Sequence, residues 1–191
     1  MTTIINGSSP SITFSDNTTQ TTAGLPLTGG TVSGAVTVTG AITATGGVIQ
    51  GANAAPTFRA TQTSTTSIPN TSFTKVLFDT VTFDTNSNFS SSRFTPTVAG
   101  YYQVTGIIRI SLSAGNFVSP YIFKNGSSYQ GVEGVLTQGT GDVSGVVNAL
   151  VYCNGSTDYI EFYAYQNSGG SKNTVTGTTN TSFIGFLARS A

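Results

Sequence analysis

The chain has 191 residues, of which only 7% are charged, seven basic against seven acidic, with no histidine and a single cysteine. Against a usual charged share of about 25%, the deficit is filled by Thr, Ser, Asn and Gly, which leaves an uncharged polar surface suited to strands and turns. That balance excludes a cationic surface for phosphate backbones, and without histidine or a second cysteine it excludes intrachain catalytic triads, disulfides and most metal clusters, so neither nucleic acid nor a cofactor is expected.

Residues 1–28 read as a polar arm. The opening Met-Thr-Thr-Ile-Ile-Asn-Gly has neither the basic start nor the apolar run of a secretory leader, and no stretch reaches the length of a membrane span. Synthesis in the cytosol without membrane insertion is therefore the expectation. A strand-like island from Ser11 to Phe14 precedes Asp16-Asn17 turn chemistry and a Thr-rich run ending at Gly24. Low charge and the lack of helical periodicity make this either an extended arm that docks elsewhere or a disordered tail, and docking is favoured.

Residues 29–55 carry a repeat. Three consecutive hexads bring Gly34, Gly40 and Gly46 into register with Val36, Ile42 and Val48. A β-prone, Gly-punctuated period of this kind buries its apolar side only by stacking on further repeats, and roughly three or more stacked units are normally needed. One chain supplies about one coil, so the missing partners are expected to be other copies, wound into an oligomeric β stem.

Residues 56–191 read as strand after strand. Phe14 is the one phenylalanine of twelve before position 58, and all eight tyrosines lie beyond position 100, so the packed domain begins near Pro56. Turn chemistry at Pro69-Asn70, Ala114-Gly115, Asn125-Gly126, Asn154-Gly155 and Gly169-Gly170 spaces the strands as in a sandwich or jelly roll. Several strands are apolar on both faces: Ile160, Phe162 and Ala164 oppose Tyr159, Tyr163 and Tyr165, while Val147, Ala149 and Val151 oppose Val146, Leu150 and Tyr152. At the end of the chain Phe183 and Leu187 oppose Ile184 and Phe186. Such strands must be covered twice. Without helices, one face meets the opposing sheet and the other a neighbouring subunit; loops or scattered surface tyrosines are the alternative cover. The expected interface set is Tyr159, Tyr163, Tyr165, Phe183, Ile184 and Phe186.

Phe94, Gly100 and Tyr102 form a Phe-x5-Gly-x-Tyr pattern that resembles the core of complement C1q-like globular heads, which belong to the tumour-necrosis-factor-like jelly rolls. Phe78-Asp79, Phe83-Asp84, Lys124-Asn125-Gly126, Asp158-Tyr159-Ile160 and Ser182 to Leu187 agree with it. The pattern departs in the spacing from Phe83 to Phe94 and at Val104, where an aromatic is more usual. The resemblance implies an all-β jelly-roll head, assembled as a homotrimer, that binds ligands or receptors and is not an enzyme. Residues 12 to 24 and the following Leu-Thr-Gly-Gly-Thr-Val-Ser-Gly run resemble segments of bacteriophage tail-fibre and other virion proteins.

Paired carboxylates are the remaining catalytic route, and spacing argues against them: Asp158 with Glu161, and Asp79 with Asp84, point to opposite faces of a continuous strand. Asp142, beside the Gly139-Thr140-Gly141 loop, is a candidate for a divalent cation, although no dedicated loop is present. Tyr121 and Tyr129, with Tyr152, are candidate receptor contacts, because aromatic rings give large contact area at low entropy cost. The expectation is a non-enzymatic trimeric virion protein made in the host cytoplasm. Its arm would dock on other virion proteins, and its head would be displayed for attachment to a host-surface glycan or protein. A capsid decoration without receptor binding and a soluble C1q-like ligand are the alternatives.

Overall fold

The computed structural model describes residues 55–191 and, before them, the backbone of three short strands. Two units divide the chain, Met1–Ile49 and Gln50–Ala191. In the first, β1 (Ile4–Ile5), β2 (Ile12–Thr13) and β3 (Thr19–Gln20) form an antiparallel sheet in the order β1-β2-β3. The stem positions Val36, Ile42 and Val48 lie outside the described residues.

The second unit is a two-sheet sandwich. Its strands are β4 (Thr57–Thr61), β5 (Ser67–Ile68), β6 (Thr74–Lys75), β7 (Thr80–Asp84), β8 (Phe89–Ser90), β9 (Arg93–Phe94) and β10 (Gly100–Leu112). They continue with β11 (Phe117–Lys124), β12 (Ser127–Gly131), β13 (Val135–Leu136), β14 (Gly141–Cys153), β15 (Ile160–Gln166), β16 (Lys172–Asn173) and β17 (Ser182–Ser190). One sheet has the order β14-β10-β17-β4-β7; the other runs β12-β11-β15-β9-β8, with β13 on β11 and β6 on β15. A small β16-β5 pair stands apart from both.

Alternation along the strands builds the core. On β14, Val147, Ala149 and Val151 are buried while Val146, Leu150 and Tyr152 are exposed, the period-two pattern of a strand covered on one face. Between the sheets Phe58 stacks on Phe94 and Phe89, and Phe183 packs against Phe58, Phe78 and Phe162. The turn between β11 and β12 places Asn125 and Gly126 at φ of 52° and 78°, the doubly positive geometry that an Asn-Gly hairpin accepts.

The Phe-x5-Gly-x-Tyr pattern has a physical basis here. Phe94 and Tyr102 meet edge to face with centroids 5.3 Å apart, and the Tyr102 hydroxyl donates to the Val98 carbonyl at 2.7 Å. Between them in sequence, Gly100 lies where a Cβ would come within 2.4 Å of the Arg189 carbonyl oxygen. Only glycine lets β10 and the end of β17 approach this closely.

Candidate functional site

Two outward surfaces of the sandwich concentrate exposed aromatic and aliphatic groups. The first is the outer face of the five-stranded sheet, where register sets Tyr101 opposite Tyr152, Gln103 between Leu150 and Phe186, and Ile107 opposite Val146. Leu150, Phe186 and Tyr101 are 52%, 49% and 44% exposed, and the Tyr101 and Tyr152 rings lie 5.4 Å apart. Thr105, hydrogen-bonded to Asn148 at 2.6 Å, lies in the middle of the face, and the Arg109–Asp142 ion pair at 3.0 Å lies toward one end. Tyr101, Leu150, Tyr152 and Phe186 gather toward one end of this face, with Gln103 among them and the Thr105–Asn148 pair between them and Val146, the mixture of aromatic and polar groups found at interfaces.

The second surface lies on the seven-stranded sheet, on the opposite side of the sandwich. Odd-numbered residues of β11 and β15 point outward there, and with the segment before β6 and the residues at the end of β12 and after it they line an open pocket of about 330 Å³. Phe73, Phe117, Tyr121 and Tyr165 supply its aromatic walls, and Ser119, Glu133 and Gly134 complete the lining. Phe73 stands at 89° to Tyr121 with centroids 4.8 Å apart, and at 48° to Tyr165 at 5.3 Å. Phe117 lies parallel to Tyr165 at 6.1 Å. The chain comes close here because Gly131, at the end of β12, and Gly134, in the loop after it, have no side chain: a Cβ on Gly131 would fall 2.1 Å from the Tyr121 ring, and one on Gly134 2.4 Å from that of Phe117.

No protein-family model and no curated protein matches this sequence. Among solved structures the chain is similar to the globular domain of zebrafish complement 1qA protein, at 14% identity and a TM-score of 0.53 over 71% of this chain and 99% of that one. It is also similar to murine APRIL, at 10% identity and a TM-score of 0.52 over 70% of this chain and 98% of that one. The fold is the C1q/TNF-like jelly roll.

Within this jelly roll the residues expected at one interface fall in three places. Ile184 and Phe186 lie on the outer face of the five-stranded sheet, opposite Thr105 and Gln103. Tyr163 and Tyr165 lie on the other sheet and Tyr159 just before it, each partly covered by its own chain: Tyr163 stacks on Phe123 at 3.9 Å, Tyr165 meets Phe73 and Phe117, and the Arg93 guanidinium sits 3.8 Å over Tyr159. Phe183 is fully buried between the sheets, so its side chain is a core group with no surface to offer a second copy. Of the two candidate receptor tyrosines, Tyr121 lines the pocket; Tyr129 lies outside it, donating its hydroxyl to the Leu150 carbonyl at 3.0 Å.

The carboxylates that spacing kept apart have structural partners. Asp79 accepts from the backbone N–H groups of Thr63 and Ser64, which hold its carboxyl far below the usual range. Asp84 accepts from the Phe89 N–H at 2.7 Å, and Asp158, lowered chiefly by its bond from Asn125, pairs with Lys124 at 3.0 Å. Glu161, almost fully buried, accepts from Lys75 and Arg93 at 3.1 and 3.0 Å. Asp142 is held by Arg109 and Ser111. Sequence reasoning missed Phe73, Phe117, Ser119 and Glu133, which converge only through strand pairing; the signal available was Glu133 between Gly131 and Gly134, an acid in a small-residue loop.

Proposed function

We propose that this chain is a non-enzymatic homotrimer serving as a virion fibre, made in the host cytoplasm, with an arm that docks on other virion proteins and a jelly-roll head displayed outward for host-surface attachment. The observation that carries the trimer is the outer face of the five-stranded sheet, where Tyr101, Val146, Leu150, Tyr152 and Phe186 are each more than 40% exposed on one chain. Large apolar side chains exposed together in this way mark association surfaces. Threefold company is what the jelly-roll resemblance implies, and the hexads demand the same from their own incompleteness. The virion assignment is supported by the likeness of residues 12 to 24 and the following Gly-rich run to fibre segments. The aromatic pocket on the opposite sheet supports a binding role for the head.

Sedimentation tests the association directly. The wild-type chain is expected as a trimer at low concentration, and Leu150→Glu as a monomer with unchanged far-UV circular dichroism, because the side chain is exposed on the isolated fold. A monomeric wild type would sink the reading. Imaging of intact particles carrying a tag at Ala191 tests the virion role, with density expected at the outer ends of projections.

A further inference from the structure

We propose that the pocket formed by Phe73, Phe117, Tyr121, Tyr165 and Glu133 binds an organic cation, a trimethylammonium group of the choline type. The inference goes beyond attachment as such, because it assigns a ligand chemistry to a site on the head, and it rests on the pocket alone.

The walls come first. Four rings line the space, packed against one another at 89°, 48° and 19° with centroids 4.8 to 6.1 Å apart, so they do not form one flat platform. Aromatic faces carry the negative end of the ring quadrupole, and a lining rich in aromatic rings attracts a methylated ammonium, whose charge is spread over apolar methyl groups. Phe73 is 48% exposed, so the pocket is open to a headgroup arriving from solvent.

The charge comes second. The chain has seven carboxylate side chains, of which Asp16 lies outside the described residues. Five of the other six are engaged: Asp79 by backbone N–H groups, Asp84 by Phe89, Asp142 by Arg109, Asp158 by Lys124 and Glu161 by Lys75 and Arg93. Glu133 alone has no hydrogen-bond or ion-pair partner among the described residues, and it lines this pocket. No lysine or arginine lines the pocket to neutralise it. An anionic ligand would meet a carboxylate and ring faces of the same sign.

A neutral sugar fits less well. Sugar hydroxyls call for several converging donors and acceptors, whereas Glu133 and Ser119 are the polar side chains in the lining besides the tyrosine hydroxyls. The volume of about 330 Å³ suits a small headgroup.

Titration of the full-length protein with tetramethylammonium and with choline, followed by ligand-observed NMR, tests the site. Saturable binding is expected with Kd on the order of a millimolar, as a few exposed cation–π contacts and one exposed carboxylate allow. The neutral carbon isostere of choline, in which a tert-butyl group replaces trimethylammonium, is expected to bind about tenfold more weakly or not at all. Glu133→Gln and Phe73→Leu should each weaken choline by about threefold or more; the exposed Glu133 should leave thermal melting unchanged, and far-UV circular dichroism checks that Phe73→Leu, which loses ring contacts to Tyr121 and Tyr165, stays folded. Tyr129→Ala, outside the pocket, keeps wild-type affinity. Absence of saturable cation binding, equal affinity for the isostere, an unaffected Glu133→Gln, or stronger binding of a neutral methyl pyranoside overturns the assignment. Sedimentation of the same samples reports the trimer separately, so either reading can fail alone.

Discussion

At Gly100 a hydrogen atom in place of a side chain allows β10 to lie against the last residues of β17, and the obstacle to anything larger is backbone. A Cβ there would meet the Arg189 carbonyl oxygen at 2.4 Å and the Leu187 side chain at 2.7 Å. Because the carbonyl belongs to a paired strand, no rotamer change relieves the clash, and Gly100→Ala should lower stability by about 1–3 kcal/mol. Urea melts check this, and an unchanged midpoint would contradict the account of the motif. Cys153 shows the opposite economy, a polar-capable atom used as a small hydrophobe. Fully buried at the end of β14, its thiol is pushed up to about 11 by desolvation, against which the nearby Lys124 charge works only in part. At pH 8 roughly a thousandth of such a thiol is thiolate. The native protein should therefore resist a disulfide reagent at that pH and react fully once unfolded in urea; prompt native labelling would show the burial to be wrong.

Among the elements β15 has the most divided duty, since its even residues fill the core while its odd residues carry a buried acid and two half-buried tyrosines. Glu161 is only 2% exposed and depends on Lys75 from β6 and Arg93 from β9, so a single ion triad joins three strands of one sheet. Removing the cations strands a buried carboxylate, whereas removing the acid leaves cations that reach water. Lys75→Met with Arg93→Met is expected to cost about 3–5 kcal/mol, less any share the partly exposed cations contribute weakly, and adding Glu161→Gln to that pair should recover much of the loss. Denaturant midpoints of the three proteins decide it: a double variant as stable as wild type would remove the triad from the account of the sheet. The strand pattern that marked Tyr159, Tyr163 and Tyr165 as interface residues is real, and it is also where pattern reading stops. Period-two alternation states that a face is apolar; it does not state whether the cover comes from the same chain. Here Phe73, Phe117 and Phe123 provide it, and Phe73 is 92 residues from Tyr165. The pocket was illegible for the same reason, since its walls become neighbours only through the β11–β15 and β6–β15 registers.

For the molecule as a whole, a jelly-roll sandwich was legible from local chemistry: alternation on β14, the Asn125-Gly126 turn and the Phe94–Gly100–Tyr102 spacing each carried their own physical cause. The grouping of Tyr101, Leu150, Tyr152 and Phe186 on one face was not, because it requires the order β14-β10-β17, which joins segments that the sequence keeps far apart. These four residues lie between Tyr101 and Phe186, inside the unit Gln50–Ala191, so the association they imply does not draw on the arm. Removal of residues 1–32 is accordingly expected to leave a trimer in sedimentation equilibrium, with the hexads and the head intact, while abolishing incorporation into particles. Phe186→Glu in the same truncated chain should dissociate it, because the charge would be buried against the partner's apolar face at a cost of several kcal/mol. If the truncated protein sediments as a monomer while the full chain is a trimer, association resides in the arm, and the exposed sheet face needs another occupant.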